Sequence, residues 1–322
     1  MAPPAALQFA PTPLRVLITG GTGFIGGALC KALLADGHAL TVLARNPQKA
    51  LALLGGHVKT FTHFETLDPQ TPFDVVINLA GEPVVGPRWT TARKAVLHAS
   101  RSGLTQALVA WIGRAHIKPR FMISGSAIGY YGVQPPGDPA ALAEDAPPQP
   151  IFMSELCQAW EASAQAVQTL GVSLALLRMG VVLGPYSSGQ GALPKMLLPL
   201  RMGLGGQLGN GAQVVSWVHL ADVLGSMAHL IRLPPAQARG VFNLTAPQPC
   251  TQKDFMRVAA RALHRTWALP VATPAWLLQS LLGEQAGILV QGQRVVPRHL
   301  LDSGYQFTYA ELASAMADCV RL

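Results

Sequence analysis

Short apolar runs alternate with helical patterns through the first half of the chain. None of these runs alternates apolar and polar positions, and they cover residues 14–20, 39–45, 74–80, 120–127 and 173–180. Such runs are typical of strands that are covered on both faces of a sheet. Apolar residues recur at helical spacing between them, at about residues 24–36, 89–115 and 152–170. We therefore predict an α/β fold with a doubly wound parallel sheet.

The alternation of patterns stops after residue 183. Residues 184–213 are dense in Gly and Pro, which indicates an excursion of the chain out of the sheet. Strand-like and helix-like patterns over residues 214–244 can return the chain to the sheet, and the remainder is largely helical. We therefore expect residues 14–183 and about 214–244 to form the sheet domain. Residues 184–213 and 245–322 are expected to form a smaller, mostly helical domain.

Composition indicates a globular protein. Half of the 322 residues are hydrophobic and only 12% are charged, so the chain can bury a sizeable core. The net charge is +8, but the Lys and Arg residues are scattered and are not interleaved with aromatic residues. This pattern argues against a nucleic-acid-binding face, whereas a basic surface can attract small anionic ligands.

The N-terminal residues, the longest apolar runs and the cysteines indicate the cellular compartment. Residues 1–13 are rich in Pro and Ala and lack both a basic stretch and a long apolar stretch, so we predict a flexible tail rather than a signal peptide. No apolar run is long enough to span a membrane. The four cysteines lie far apart and the nine histidines show no metal-ligand spacing, so we predict no metal site and no disulfide framework. We expect a cytoplasmic protein with neither a nucleic-acid nor a membrane partner.

Closely spaced glycines separate the first predicted strand from the first predicted helix. Gly20, Gly23 and Gly26 form G-x-x-G-x-x-G, and Gly21 starts an overlapping G-x-G-x-x-G. An early glycine permits a tight turn, Gly23 lets the backbone approach a pyrophosphate, and Gly26 lets the helix pack on the strand. Phosphates are favoured at a helix N-terminus by its free N–H groups and its dipole. We predict a dinucleotide site that contains Gly20, Gly23, Phe24, Ile25 and Gly26; the alternative is a glycine turn needed for geometry alone.

Arg45 ends the second predicted strand. In a dinucleotide-binding fold, an acidic residue about 20 residues beyond the glycines holds the ribose 2′-hydroxyl of NAD. A guanidinium cannot accept that hydrogen bond, but it can pair with a 2′-phosphate. Arg45 therefore predicts NADP(H) rather than NAD(H), the alternative being an exposed arginine that precedes a helix.

Five motifs in order resemble the extended short-chain dehydrogenase/reductase superfamily. They are TGGTGFIG (19–26), NLAGEP (78–83), SGSAIGYYG (124–132), LRMGVVLGP (177–185) and SWVHLADV (216–223). More closely, they are similar to its atypical branch, the NAD-dependent epimerase/dehydratase-like "epimerase family protein" group. The resemblance covers nearly the whole chain from about Leu14. It implies a Rossmann-type domain, a smaller C-terminal substrate domain and a cleft between them.

The resemblance implies roles for the end of the predicted strand at 74–80. Leu79, Ala80 and Gly81 are expected near the nicotinamide-side ribose, because their small size permits close approach; an ordinary buried strand end is the alternative. Glu82 follows at the mouth of the expected cleft, where open α/β sheets bind ligands. It can act as an acid or a base, or it can anchor a loop.

Hydroxyl groups follow the predicted strand at 120–127. The superfamily places a hydroxyl that bonds to the reacting oxygen at the position of Ser126, although a serine in a glycine-flanked turn is an alternative. Tyr130 and Tyr131 lie in the same loop, and either can present a phenol to a ligand.

The superfamily's Y-x-x-x-K motif is missing. In that motif the lysine lowers the pKa of the tyrosine, which exchanges a proton with the substrate. Aligning Glu161 with a glutamate that often follows the lysine puts Met153 at the tyrosine position and Cys157 at the lysine position; a shift by one gives Phe152 and Leu156. We interpret Cys157 as a core residue rather than a nucleophile, because apolar surroundings raise the pKa of a thiol.

These features predict an NADP(H)-binding oxidoreductase or epimerase that acts on a small molecule. The substrate is anionic if Arg178, Lys195 or Arg201 contacts it. The alternative is a non-catalytic NADP(H)-binding sensor or interaction protein. An open polar pocket beside the nicotinamide would favour the enzyme, and apolar side chains filling that place would favour the sensor.

Overall fold

The computed structural model describes residues 7–265, 272–274, 276, 280 and 283–321. The described strands are β1 (Arg15–Thr19), β2 (Ala39–Leu43), β3 (Lys59–Phe61), β4 (Val75–Asn78), β5 (Phe121–Ala127), β6 (Ser173–Met179), β7 (Val181–Leu183), β8 (Gln207–Leu208), β9 (Val214–Val215), β10 (Trp217–His219), β11 (Gly240–Leu244), β12 (Cys250–Thr251) and β13 (Ala272–Thr273). The described α-helices are α1 (Phe24–Ala35), α2 (Pro47–Leu54), α3 (Thr91–His98), α4 (Leu104–Arg114), α5 (Phe152–Gln165), α6 (Leu193–Met196), α7 (Leu198–Arg201), α8 (Leu220–Arg232), α9 (Pro235–Ala238), α10 (Gln252–Ala262), α11 (Ala286–Val290), α12 (Arg298–Asp302) and α13 (Leu312–Cys319). Among them, no helix is long and apolar enough to cross a bilayer.

Seven of the strands form one parallel sheet. Their order is β11-β6-β5-β4-β1-β2-β3, and every neighbouring pair is parallel. The order reverses between β1 and β4, and in such sheets ligands bind outside the carboxyl ends of the strands at this switch point. The predicted doubly wound Rossmann-type fold is confirmed. The short β3, which extends the sheet beyond β2, has only three residues and left no recognisable apolar run.

Apolar clusters cover both faces of the sheet. One cluster joins β1 and β2 to the buried sides of α1 and α8 through residues such as Leu29 and Met227. The other lies under α4 and α5, around the fully buried Trp111. A third cluster, around Trp217 and Phe255, lies outside the seven-stranded sheet and packs α10 and α13 together. It involves segments on both sides of residues 214–244.

Three local features differ from the sequence-based expectation. The helix expected at 89–115 is interrupted by a π-helical segment, Ala99–Gly103, between α3 and α4. Of the strands within 214–244, only β11 joins the main sheet, because β9 pairs with β12 and β10 pairs with β7.

The third difference concerns the segment expected to be a flexible tail. Phe9 is fully buried and its N–H donates to the Asp36 carboxylate at 2.6 Å, while the Leu14 N–H donates to His38 Nδ1 at 3.0 Å. The chain is therefore packed against the sheet domain before β1 begins, because an aromatic side chain and backbone donors find partners there. Residues 1–6 of the expected tail lie outside the described residues.

Asp222 on α8 ties down the segment that leads into α13. Its carboxylate is completely buried and accepts hydrogen bonds from the Tyr305 hydroxyl and from the backbone N–H groups of Thr308 and Tyr309, at 3.0, 2.7 and 2.9 Å. Hydrogen bonds to an ionised acceptor are the stronger kind in proteins. This one side chain therefore fixes residues 305–309 against the sheet domain.

Candidate functional site

Three of the glycines after β1, Gly20, Gly23 and Gly26, meet different surroundings. Gly20 has φ +73°, and a Cβ there would lie 2.7 Å from the Leu79 carbonyl carbon. A Cβ on Gly26 would lie 2.1 Å from the Gly20 oxygen, so both positions require glycine for the fold itself. A Cβ on Gly23 would meet only the Gly20 oxygen, at 3.3 Å. Gly23 is thus the glycine of this turn whose missing side chain leaves space for a ligand.

The N-terminus of α1 offers free backbone donors beside Gly23. Gly23 is the N-cap residue, and no side chain caps this end of the helix. The first N–H groups of a helix have no partner within it, so those of Phe24, Ile25 and Gly26 can bind an anion. The side chains of Phe24 and Ile25 pack within the protein: the Phe24 ring lies against Gly184 and Gly191, and Ile25 packs on the core. What these two residues offer a ligand is therefore backbone.

The chain after β4 runs beside this turn. The N–H groups of Leu79 and Ala80 donate to the backbone oxygen and the hydroxyl of Thr19, each at 3.2 Å. Gly81 follows and is exposed. Leu79, Ala80 and Gly81 thus lie at the same edge of the sheet as the glycine turn.

Arg45 and Glu82 form an ion pair at this edge. The distance from Arg45 Nη1 to Glu82 Oε1 is 3.1 Å, with 94% of the Arg45 side chain exposed. The Glu82 N–H donates to the Ser100 hydroxyl at 3.1 Å. Glu82 therefore lies next to the residue expected at the adenosine ribose, and its backbone is bonded to the π-helical segment, which favours a loop anchor over an acid or base for the substrate.

Two of the three candidate hydroxyls are buried and already donate to protein groups. Ser126 Oγ donates to Glu161 Oε1 and the Tyr131 hydroxyl donates to Asn243 Oδ1, each at 2.6 Å, and both residues are 1% exposed. Burial raises the pKa of Tyr131 to about 12. The expectation that these hydroxyls face a substrate is therefore wrong for this structure, because distant parts of the chain supply buried acceptors.

Arg178 holds these groups together from inside the protein. It is 3% exposed, and its Nε and Nη2 donate to the two oxygens of Glu161, each at 2.8 Å. Its Nη1 donates to the Tyr131 hydroxyl at 3.0 Å. The bidentate pair leaves Arg178 unavailable to a substrate, contrary to one expectation. Lys195 and Arg201, the other two cations considered, are exposed.

Tyr130 differs from its neighbours. It is half-buried, and the Arg178 guanidinium lies over its ring, 3.3 Å from the centroid. Its hydroxyl has no hydrogen-bond partner within the part of the chain that the structure describes. Of the hydroxyls on Ser126, Tyr130 and Tyr131, that of Tyr130 is the one left for a ligand.

The face of α5 that aligns with Y-x-x-x-K is apolar. Met153 and Cys157 belong to a buried cluster with Leu97 and Leu156, and a Cβ on Gly129 would lie 2.8 Å from Met153 Cε. The half-buried members of this apolar cluster are Val84, Trp89, Ala127, Tyr130, Phe152 and Ile288. Burial raises the pKa of Cys157 to about 12, so the thiol is protonated at neutral pH. The interpretation of Cys157 as a core residue is confirmed.

Arg101, in the π-helical segment, is a buried charged residue that the sequence interpretation missed. It is 8% exposed, its Nη2 donates to the Glu82 carbonyl at 2.8 Å, and its guanidinium lies over the Trp160 ring at 5.2 Å. The sequence contained a signal for it. Leu97, Arg101 and Thr105 recur every four residues on the buried side of this helical stretch, so a charge stands where the periodicity predicts core.

Similarity to known proteins agrees with this arrangement. Residues 16–245 match the NAD-dependent epimerase/dehydratase family. The chain belongs to this family. Residues 273–319 match a separate domain of unknown function, DUF1731. The resemblance inferred from the five motifs is thereby confirmed.

Individual members of the family are similar over nearly their whole length. The epimerase family protein YfhF of Bacillus subtilis is 34% identical over 310 residues, which cover 95% of this chain and 98% of YfhF. The crystal structure of the human epimerase family protein SDR39U1 with NADPH is 34% identical and covers 95% of this chain and 98% of its own, with a TM-score of 0.81. A UDP-galactose 4-epimerase structure shares the fold at 19% identity and a TM-score of 0.70.

Proposed function

We propose that this protein binds NADP(H) at the carboxyl edge of its sheet and acts as an oxidoreductase or epimerase on a small molecule. The observation that carries the proposal is the uncapped N-terminus of α1 beside Gly23, with the cationic Arg45 exposed at the same edge. An uncapped helix start favours phosphate, and a guanidinium suits a 2′-phosphate. The NADPH in the crystal structure of the human relative supports the same cofactor here. When bound, this cofactor supplies or accepts a hydride.

Different residues at the carboxyl edge of the sheet would bind different parts of NADP(H). The backbone N–H groups of residues 24–26 would hold the pyrophosphate, and Arg45 would hold the 2′-phosphate. Ala80 and Gly81 present little side-chain bulk and the Leu79 side chain packs on the core, which would allow the ribose on the nicotinamide side to approach the backbone. The N–H groups at the start of α1 have no partner within the helix, and Arg45 can exchange its exposed pair with Glu82 for a phosphate.

Proton transfer to the substrate falls to Tyr130. Its ring is fixed by the Arg178 guanidinium, while its hydroxyl has no partner among the described residues. The face of α5 nearby carries Met153 and Cys157 rather than a tyrosine and a lysine, so no ammonium from this helix activates the phenol. We expect slow turnover, or turnover of substrates with a readily reduced carbonyl or an acidic C–H.

The choice of cofactor is the first test. We expect the purified protein to bind NADPH about tenfold more tightly than NADH, since one charge-assisted contact at an exposed position is worth about that factor. Arg45→Asp should remove or reverse the preference while leaving NADH affinity and thermal stability nearly unchanged. Titration followed by calorimetry measures both affinities. Equal affinities in the unmodified protein would contradict the role of Arg45.

A sensor or interaction protein that binds NADP(H) without turnover is the second candidate. It is favoured by the apolar cluster around Met153 and Cys157, which occupies the face where the superfamily carries its acid. A screen of small carbonyl compounds for NADPH consumption separates the two candidates. If the protein is an enzyme, Tyr130→Phe should lower turnover without weakening NADPH binding. Tight NADPH binding with no consumption across anionic and neutral carbonyl compounds would support the sensor.

A further inference from the structure

The guanidinium of Arg101 is a buried cation whose hydrogen-bond partners among the described residues are all neutral oxygens. Its hydrogen bonds go to the Glu82 carbonyl at 2.8 Å, the Ser100 hydroxyl at 3.4 Å and the Leu97 carbonyl at 3.5 Å. None of the ion pairs among the described residues includes Arg101. Burial lowers the pKa of Arg101, which reflects the cost of keeping this cation away from water. Three hydrogen bonds among the described residues do not use all five N–H donors of a guanidinium, so Arg101 can donate to a further oxygen.

The position of the guanidinium indicates where that acceptor would bind. A Cβ added to Gly81 would lie 3.1 Å from Arg101 Cζ and 3.2 Å from its Nη2. The guanidinium therefore lies directly against the backbone of Gly81, which is itself exposed. The guanidinium also lies over the Trp160 ring, 5.2 Å from its centroid. The cation is thus fixed immediately behind the edge at which β4 ends.

Arg101 also lies close to a position where a cation is missing. Cys157 on α5 aligns with the lysine of the superfamily's motif, and its thiol is buried in the apolar cluster. Leu97 packs in the same cluster, and its carbonyl accepts a hydrogen bond from Arg101 Nη1 at 3.5 Å, so the guanidinium borders the cluster that holds this thiol. A neighbouring element therefore brings a positive charge to the region where α5 supplies none. The π-helical turn at Ala99–Gly103 carries it, and such turns are frequent at functional sites.

We infer that Arg101 contacts the nicotinamide half of the bound cofactor, donating hydrogen bonds to the ribose hydroxyls that approach Gly81. This inference rests on the proposed function, because it assumes that NADP(H) binds along this edge. It assigns the two cations different tasks: Arg45 recognises the adenosine end and Arg101 the nicotinamide end. Arg101 would also orient the ribose beside Tyr130.

Binding of whole and half cofactors tests this division. Adenosine 2′,5′-bisphosphate carries the adenosine end with its 2′-phosphate and lacks the nicotinamide ribose. We expect Arg101→Met to weaken NADPH binding about ten- to a hundredfold. The affinity for the bisphosphate should stay within about twofold of that of the unmodified protein. Arg45→Asp should weaken the binding of both ligands. Arg101→Lys keeps the charge but loses the forked donors, so it should weaken NADPH binding by a smaller factor than Arg101→Met does.

Each outcome has a defined consequence. Equal NADPH affinity in the unmodified protein and Arg101→Met would overturn the inference and leave the proposed function standing. An equal loss of affinity for both ligands in Arg101→Met would also overturn it, because Arg101 would then only support the loop at Glu82. If Arg101→Met does not fold, the comparison of the two ligands in Arg101→Lys decides in the same way. An unmodified protein that binds neither ligand would overturn the proposed function as well.

Discussion

Glu82 is the residue whose environment changes its interpretation most. Its carboxylate faces Arg45 in solvent, where an ion pair contributes about 0 to 1 kcal/mol. A pair this weak can be exchanged readily for another partner. A 2′-phosphate carries more charge than a carboxylate and would displace Glu82 from the guanidinium, leaving two anions close together.

We therefore expect Glu82→Gln to strengthen NADPH binding about three- to tenfold, because it removes a competing anion and its repulsion of the phosphate. NADH affinity should change little, since NADH has no 2′-phosphate. Glu65→Gln, which removes the same charge from an exposed position after β3, is the matched control. Titrations of the three proteins at low ionic strength measure the effect. Weaker NADPH binding by Glu82→Gln would mean that the carboxylate itself contacts the cofactor.

Residues whose roles depend on distant partners could not be assigned from the sequence. Ser126 and Glu161 are 35 positions apart, and Tyr131 and Asn243 are 112 apart. Local patterns contain no information about such pairs, so these hydroxyls remained candidates for catalysis. The glycines were predicted better because their role depends on a contiguous strand, turn and helix.

At the scale of elements, the junction of β1 and α1 combines two demands. Gly26 must be glycine because the helix starts almost in contact with the Gly20 oxygen. Gly23 is under no such restriction from the protein, since its φ of −82° and ψ of −179° suit any residue. One position thus serves packing and the other leaves room for a ligand.

Substitution separates these two demands. We expect Gly23→Val to lose most NADPH affinity with only a small change in the melting temperature, because the added side chain enters the space that a pyrophosphate needs. Gly26→Ala should instead lower the stability by about 1 to 3 kcal/mol, since its Cβ would press on backbone. Thermal unfolding and NADPH titration of both variants provide the comparison. Undiminished binding by Gly23→Val would show that the turn is structural only.

The elements themselves were largely predictable where their pattern is regular. Strands β1, β2, β4, β5 and β6 appeared as short apolar runs without alternation, because both faces of the sheet are covered. The break between α3 and α4 did not appear, since a π-helical turn keeps residues on nearly the same face. Arg101 was overlooked within this long helical pattern, although its spacing from Leu97 and Thr105 places it on the buried side.

At the scale of the whole molecule, polar contacts link the C-terminal region to the sheet domain. Lys94 pairs with Glu284 at 2.7 Å, and the Gln285 side chain contacts the loop at Gly86 and Pro87. Both contacts join the chain that follows Glu82 to the segment before α11. The buried Asp222 provides a separate link on α8.

The Asp222 link is expected to contribute most to stability, because its carboxylate is fully buried and satisfies three donors. Asp222→Asn keeps the size of the side chain but replaces one acceptor oxygen by an amide NH₂ and removes the charge. We expect a loss of about 2 to 4 kcal/mol, since buried donors would lose charged partners. Chemical denaturation measures this loss.

Hydrogen exchange should show faster exchange at the N–H groups of Thr308 and Tyr309, while the N–H groups of β1 and β4 stay protected. Asp302→Asn, an exposed carboxylate on α12, should stay within about 0.5 kcal/mol of the unmodified protein. Equal stability of Asp222→Asn and Asp302→Asn would mean that apolar packing around α13, rather than Asp222, holds the C-terminal segment in place.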